Sequence, residues 1–147
     1  MSKSDAAETA FLSLVFLNTD WANIGDAGGL QNSATAGSLY VALHTADPTD
    51  SGDATASECA YAGPYARQAV ARSGAGWTVS GDTASNAALI QFPQCSGGSE
   101  TITHVSITTA ASGTSAILWS GALSSSLNVS AGIQPQFAIG ALDITEA

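Results

Sequence analysis

Apolar and polar positions alternate along residues 38–45, SLYVALHT, where Leu39, Val41 and Leu43 fall on one side and Tyr40, Ala42 and His44 on the other. A period of two marks a strand with one buried face, and it stops at Asp47-Pro48, where a turn begins. Further short β-favouring runs occupy residues 65–72, 76–80, 86–92, 101–109, 115–122, 126–130 and 134–144, with Gly, Ser, Asn, Asp and Pro between them. Strands at this spacing, with no helical segments among them, predict a mainly β fold: an antiparallel β-sandwich or jelly-roll-like domain.

The first eighteen residues, MSKSDAAETAFLSLVFLN, break that period and predict one short N-terminal α-helix. Asp5 is the expected cap, with Glu8 three residues on to bond back to it, and Asn18 suits the C-terminal end. Residues 11–17 are apolar nearly all round, so the helix needs cover on most sides, either from its own domain or from a neighbour. Residues 19–37 hold glycines without a sustained period and read as loop. A chain of 147 residues makes one domain: helix 1–18, loop 19–37, and a sandwich from 38 to 147 containing a long loop at 46–64.

Charge narrows the function. Three basic residues (Lys3, Arg67, Arg72) stand against twelve acidic ones, giving −9 at neutral pH. Nucleic-acid affinity rests on Lys and Arg displacing counterions, so DNA and RNA are excluded as partners, and anionic lipid with them. No run reaches the roughly 20 apolar residues of a membrane span, and the N-terminal charge layout does not fit a secretory signal. Charged residues are 10% of the chain, against about 25% in an ordinary soluble domain. Interface cores are depleted in charge, which points to assembly with copies or partners.

Candidate chemistry is sparse. Cys59 and Cys95 could close one disulfide or stay as two free thiols, and neither lies in a metal-binding pattern. His44 and His104 both fall in strands; no GxSxG elbow fixes a serine nucleophile and no phosphate-binding glycine loop is present. A small hydrolase built on either histidine is the reading from another class, and no catalytic, cofactor or metal residue is assigned. Asp47, Asp50, Asp53 and Glu58 are candidate calcium ligands, but the spacing DPTDSGD does not match the alternating ligands and terminal glutamate of an EF-hand loop. The acidic 46–64 loop reads as an arm that packs on a partner or as a solvated loop. Arg67 and Arg72 are expected to pair with carboxylates of that loop or across an interface. The expected contact residues are therefore Phe11, Leu14, Val15, Asp47, Asp50, Asp53, Arg67 and Arg72.

An apolar N-terminal helix, AGSLYVALHTADP, YARQAVARSGAGWTVSG, ITHVSITTAASGTSAILWSGAL and a terminal SAGIQPQFAIGALDIT together resemble a family of small tailed-bacteriophage virion proteins. These are labelled capsid decoration, cement or tail-fibre proteins; PYARQAV departs from the family's usual Gly before Tyr65. The resemblance implies a non-enzymatic structural protein with a β-sandwich or jelly-roll fold. The leading expectation is a cement protein made in the host cytoplasm, binding the outer surface of the capsid, with the major capsid protein and copies of itself as partners. The alternative is a tail-associated adaptor or receptor-binding fibre protein.

Overall fold

The structure is a computed structural model describing residues 2–49 and 52–146. Its elements run α1 (Asp5–Leu17), β1 (Ser38–His44), β2 (Gln68–Ala71), β3 (Trp77–Ser80), β4 (Thr83–Asn86), β5 (Ile90–Gln91), β6 (Ser99–Thr108), β7 (Ile117–Ser130), β8 (Gln136–Phe137) and β9 (Asp143–Thr145). The fold is mainly β, its sheets antiparallel, with one helix. Contacts divide the chain into two compact units, one of residues 1–38, 70–90 and 137–147, the other of residues 39–69 and 91–136.

In the first unit α1 packs on the antiparallel sheet β3-β4-β9. Leu12 and Phe16, one turn apart, are fully buried, and Phe16 meets Trp77 edge-on with ring centroids 4.7 Å apart. The helix starts one residue earlier than expected. Ser4, not Asp5, is the cap: it is extended (φ −91°, ψ 157°), and its carbonyl accepts Ala7 N–H at 2.8 Å and Glu8 N–H at 3.0 Å. Asp5 instead joins the first turn, where its charge favours the positive end of the helix dipole. Asn18 ends the helix in the left-handed region (φ 55°), and Thr19 N–H returns to Ser13 O at 3.2 Å. Asn86 fixes the far end of the sheet: its side-chain amide donates to Ala88 O (2.7 Å) and Ala138 O (2.8 Å) and accepts Leu142 N–H (2.9 Å).

The second unit is built on the sheet β2-β1-β6-β7. β1 pairs with β6 in the register Tyr40↔Thr108 through His44↔His104. Val41, Ala42, Leu43 and His44 are all buried, so the expected single buried face becomes two. The cause is position: β1 is an inner strand, and residues 54–59 return beside its end through the bridge His44↔Glu58. Tyr61 meets Tyr65 edge-on with centroids 5.5 Å apart, and Tyr65 lies parallel to Phe92 at 6.2 Å. Gly63 (φ +107°) lets the chain pass close to residues 94–96, because a Cβ there would lie 2.5 Å from Gln94 O.

Several strands differ from their expected bounds. Residues 117–122 and 126–130 belong to one long strand, β7, which pairs with β6 on both sides of an irregularity between Ile102 and His104. Residues 134–144 split into β8 and β9 around a turn at 138–141, where Ala141 N–H reaches Ala138 O at 3.0 Å. β4, TASN, has no apolar alternation to announce it and forms by pairing with β3 and β9.

Candidate interaction surface

The charged and reactive residues singled out by sequence, Asp50 apart, lie among the described residues. Arg67 is 6% exposed and uses all five guanidinium N–H groups inside the second unit. Nε and Nη2 form a fork on Glu58 Oε1 and Oε2 (2.6 and 2.7 Å), and the rest reach Ala110 O, Ser115 Oγ and Gly113 O at 2.9–3.0 Å. The Glu58 carboxylate raises the Arg67 pKa further, so the guanidinium stays charged. Of the two expected partners, the acid of its own loop is the one found. With His44↔Glu58, Asp53↔Ala116 and Ala62↔Gly97, this pair holds the 46–64 segment against its own unit, where Ala54 is fully buried.

Asp53 bonds within its own turn, accepting Thr55 N–H (2.9 Å) and Oγ1–H (2.8 Å), and these bonds lower its pKa. Asp47 is exposed and accepts Thr49 N–H at 2.8 Å. Asp50 lies outside the described residues. Arg72 donates to Leu14 O (2.8 Å), Val15 O (2.6 Å), Ala36 O (3.1 Å) and Ser33 Oγ (3.4 Å), neutralising the carbonyl end of α1. Phe11, Leu14 and Val15 are half-buried on that helix, and Lys3 pairs with Glu146 in the same unit.

His44 comes nearest to a catalytic pair. Its Nε2 is 2.8 Å from Ser106 Oγ and its Nδ1 2.8 Å from Ala56 O. His44 and Ser106 are 0% and 1% exposed, and Nδ1 faces a carbonyl where a triad would place a carboxylate. The neutral ring, donating from Nδ1 and accepting the Ser106 hydroxyl at Nε2, satisfies both contacts, and burial lowers the His44 pKa. The arrangement ties β1, β6 and the 54–59 segment together.

The cysteines are free and buried. Cys59 Sγ donates to Glu100 Oε2 at 2.7 Å, which also accepts Ala60 N–H at 3.0 Å. Burial, then the Glu100 contact, push the thiol up to about 12. Burial also raises Tyr61 to about 12, and its hydroxyl donates to Pro93 O at 2.7 Å.

What remains exposed is the edge of the second unit. β7 closes the sheet order, and of its fourteen residues only Val129 is buried. Residues 52–54 cover its start, through Ala54 N–H to Ser115 O and Ile117 N–H to Gly52 O, both 3.0 Å. Along this strand the ladder partner is β6, from Thr108↔Ile117 to Ser99↔Ser130. Leu118 (41%) and Leu127 (37%) are exposed there. No Asp, Glu, Lys or Arg occurs anywhere in residues 101–142, although the chain carries −9. Sequence reading missed this edge by cutting the strand in two; the uncharged run was the signal that could have found it. Among the described residues, no helix is long and apolar enough to cross a membrane, and no three His, Cys, Asp or Glu side chains gather as metal ligands would.

The chain is mainly β, with both arginines bonded inside their own units and no charged residue in β7. Comparison with known families places it among bacteriophage virion structural proteins: the family described as Podophage GP4 fiber I protein gp80 matches residues 3–145, and the chain belongs to that family. No curated protein matches the sequence.

Proposed function

We propose that this chain is a non-enzymatic subunit of a tail-associated virion fibre, assembling with copies of itself and with a neighbouring virion protein. The observation that carries the reading is the family match over residues 3–145, whose description names a fibre. Two features support it. Arg67 and Arg72, the natural anchors for a partner's acids, are committed within their own units. The uncharged β7 edge lets like-charged copies approach without opposed carboxylates. The expectation of a cement protein on the capsid surface rested on the resemblance together with low charge and a chain without fibrous repeats, and the description of the matching family favours the fibre alternative.

Immunogold labelling of intact virions with an antibody to the full chain tests this reading. Gold on fibres at the tail vertex is expected. Gold spread over the head would return the protein to capsid decoration, and unlabelled virions would remove it from the particle.

A further inference from the structure

Residues 52–57, GDATAS, run as a strap over the second unit and bring no large apolar side chain to it. Ala54 is fully buried, whereas Thr55 and Ser57 are exposed. The strap is bonded to itself, since the Asp53 carboxylate accepts from Thr55 and Asp53 O accepts Ala56 N–H at 3.0 Å. Hydrogen bonds tie it to the sheet. Gly52 O accepts Ile117 N–H and Ser115 O accepts Ala54 N–H, both at 3.0 Å; Ser57 O accepts Thr45 N–H at 2.9 Å, and Ala56 O lies 2.8 Å from His44 Nδ1. A segment secured in this way opens at a lower free energy than the whole fold, because little apolar contact is lost.

Both ends of the strap are hinges. Gly52 has φ +72°, and Ser57 has φ 51°, a left-handed conformation that costs a non-glycine residue energy and that opening releases. Beyond Ser57 the chain is fastened: Glu58 receives the Arg67 fork, and Cys59 N–H reaches Leu43 O at 2.8 Å. Opening therefore divides the loop between Ser57 and Glu58. It strips the Ser115 carbonyl and the Ile117 N–H of their partners, which uncovers the start of the β7 edge. It also wets His44, fully buried while Ala56 O caps Nδ1 and Ser106 Oγ lies 2.8 Å from Nε2. In the closed state burial holds the His44 pKa below 6.5; Ala56 O and the Glu58 carboxylate oppose that shift, and Arg67 and His104 reinforce it. The hydrated ring returns towards its ordinary value, so opening takes up a proton and gains ground as pH falls below about 6.5.

We propose that residues 52–57 are an acid-sensitive strap, which swings off the sheet on Gly52 and Ser57 and uncovers the start of the β7 edge while the Arg67–Glu58 fork stays closed. The inference goes beyond the fibre assignment. It concerns the isolated chain, so its failure leaves the virion-labelling result untouched.

Hydrogen exchange of the purified full chain tests it, read amide by amide by NMR at about pH 7.5 and about pH 5 and corrected for the intrinsic rates. The reporters are the Thr45, Ala54 and Ile117 amides, each bonded across the strap's seam. They should outpace the Cys59 amide and the β1–β6 ladder at both pH values, and should exchange about tenfold faster at the lower one. In His44→Gln their acid response should vanish while their lead over Cys59 remains; the wild-type comparison decides the matter alone if that variant does not fold. The proposal is overturned if the three amides exchange no faster than Cys59, so that the strap leaves only with the fork. It is overturned equally if their corrected rates ignore acid, or if His44→Gln keeps the full acid response.

Discussion

His44 couples the second unit to pH through a buried ring whose two nitrogens are both engaged, by Ala56 O and Ser106 Oγ. Burial holds its pKa below the ordinary 6.5. The neutral form is therefore favoured in the folded chain, and the unfolded chain takes up a proton first as pH falls. Stability should be at its plateau above about pH 6.5 and decline from there down towards the lower folded value. Denaturant titrations at stepped pH check this: His44→Gln should be less stable at neutral pH yet lose the decline in that window, and an unchanged slope would remove His44 as its source. Cys59 gives a second test at this scale. A thiol pushed up to about 12 and hydrogen-bonded to Glu100 presents almost no thiolate at pH 8. Neither cysteine should react with Ellman's reagent in the native protein, and both should react promptly in denaturant. A thiol count near one in the native state would mean that one of them is reachable.

At the scale of elements, the Arg67–Glu58 fork decides whether the 46–64 segment is an arm or part of the wall. Arg67 is inaccessible and fully bonded, so removing it strands a carboxylate, three loop acceptors and a cavity. Arg67→Ala should cost about 3–5 kcal/mol of unfolding free energy, as breaking a buried pair does. Arg72→Ala should cost less, about 2 kcal/mol, because its guanidinium is half-exposed and its partners are carbonyls that water can replace. Chemical denaturation of the two variants side by side checks the order; an equal or reversed ranking would show that the loop is held by other means. The contrast also marks what the sequence made legible. The helix was readable from its propensity and apolar run, and β1 and β6 from their alternation, because those signals are local. For the fork only the alternatives were legible, a carboxylate of the 46–64 loop or one across an interface; that Glu58 is the partner depends on the fold, which brings it against the Arg67 guanidinium. β4 escaped because Thr, Ala, Ser and Asn carry no period, and pairing on both sides makes the strand.

Over the whole molecule the deciding fact is where charge is absent. All twelve acids lie outside residues 101–142, which include the whole of β7. Copies carrying −9 repel one another except across surface that bears no charge, and a sheet edge offers backbone donors and acceptors as well. This was written in the sequence as a run without Asp, Glu, Lys or Arg. Its meaning required the topology, since the same run in a central strand would only be core. Association of the purified chain should therefore strengthen with salt: the Debye length shrinks from about 10 Å at 0.1 M to about 3 Å at 1 M, screening repulsion while leaving edge pairing intact. Leu118→Glu with Leu127→Glu puts like charges on the edge at two exposed positions and should leave the fold in place while shifting sedimentation to monomer at every salt concentration. Sedimentation velocity across a salt series separates the outcomes. A wild-type chain whose association weakens with salt would place charged contacts in the interface, and a double variant that associates like wild type would move assembly away from β7.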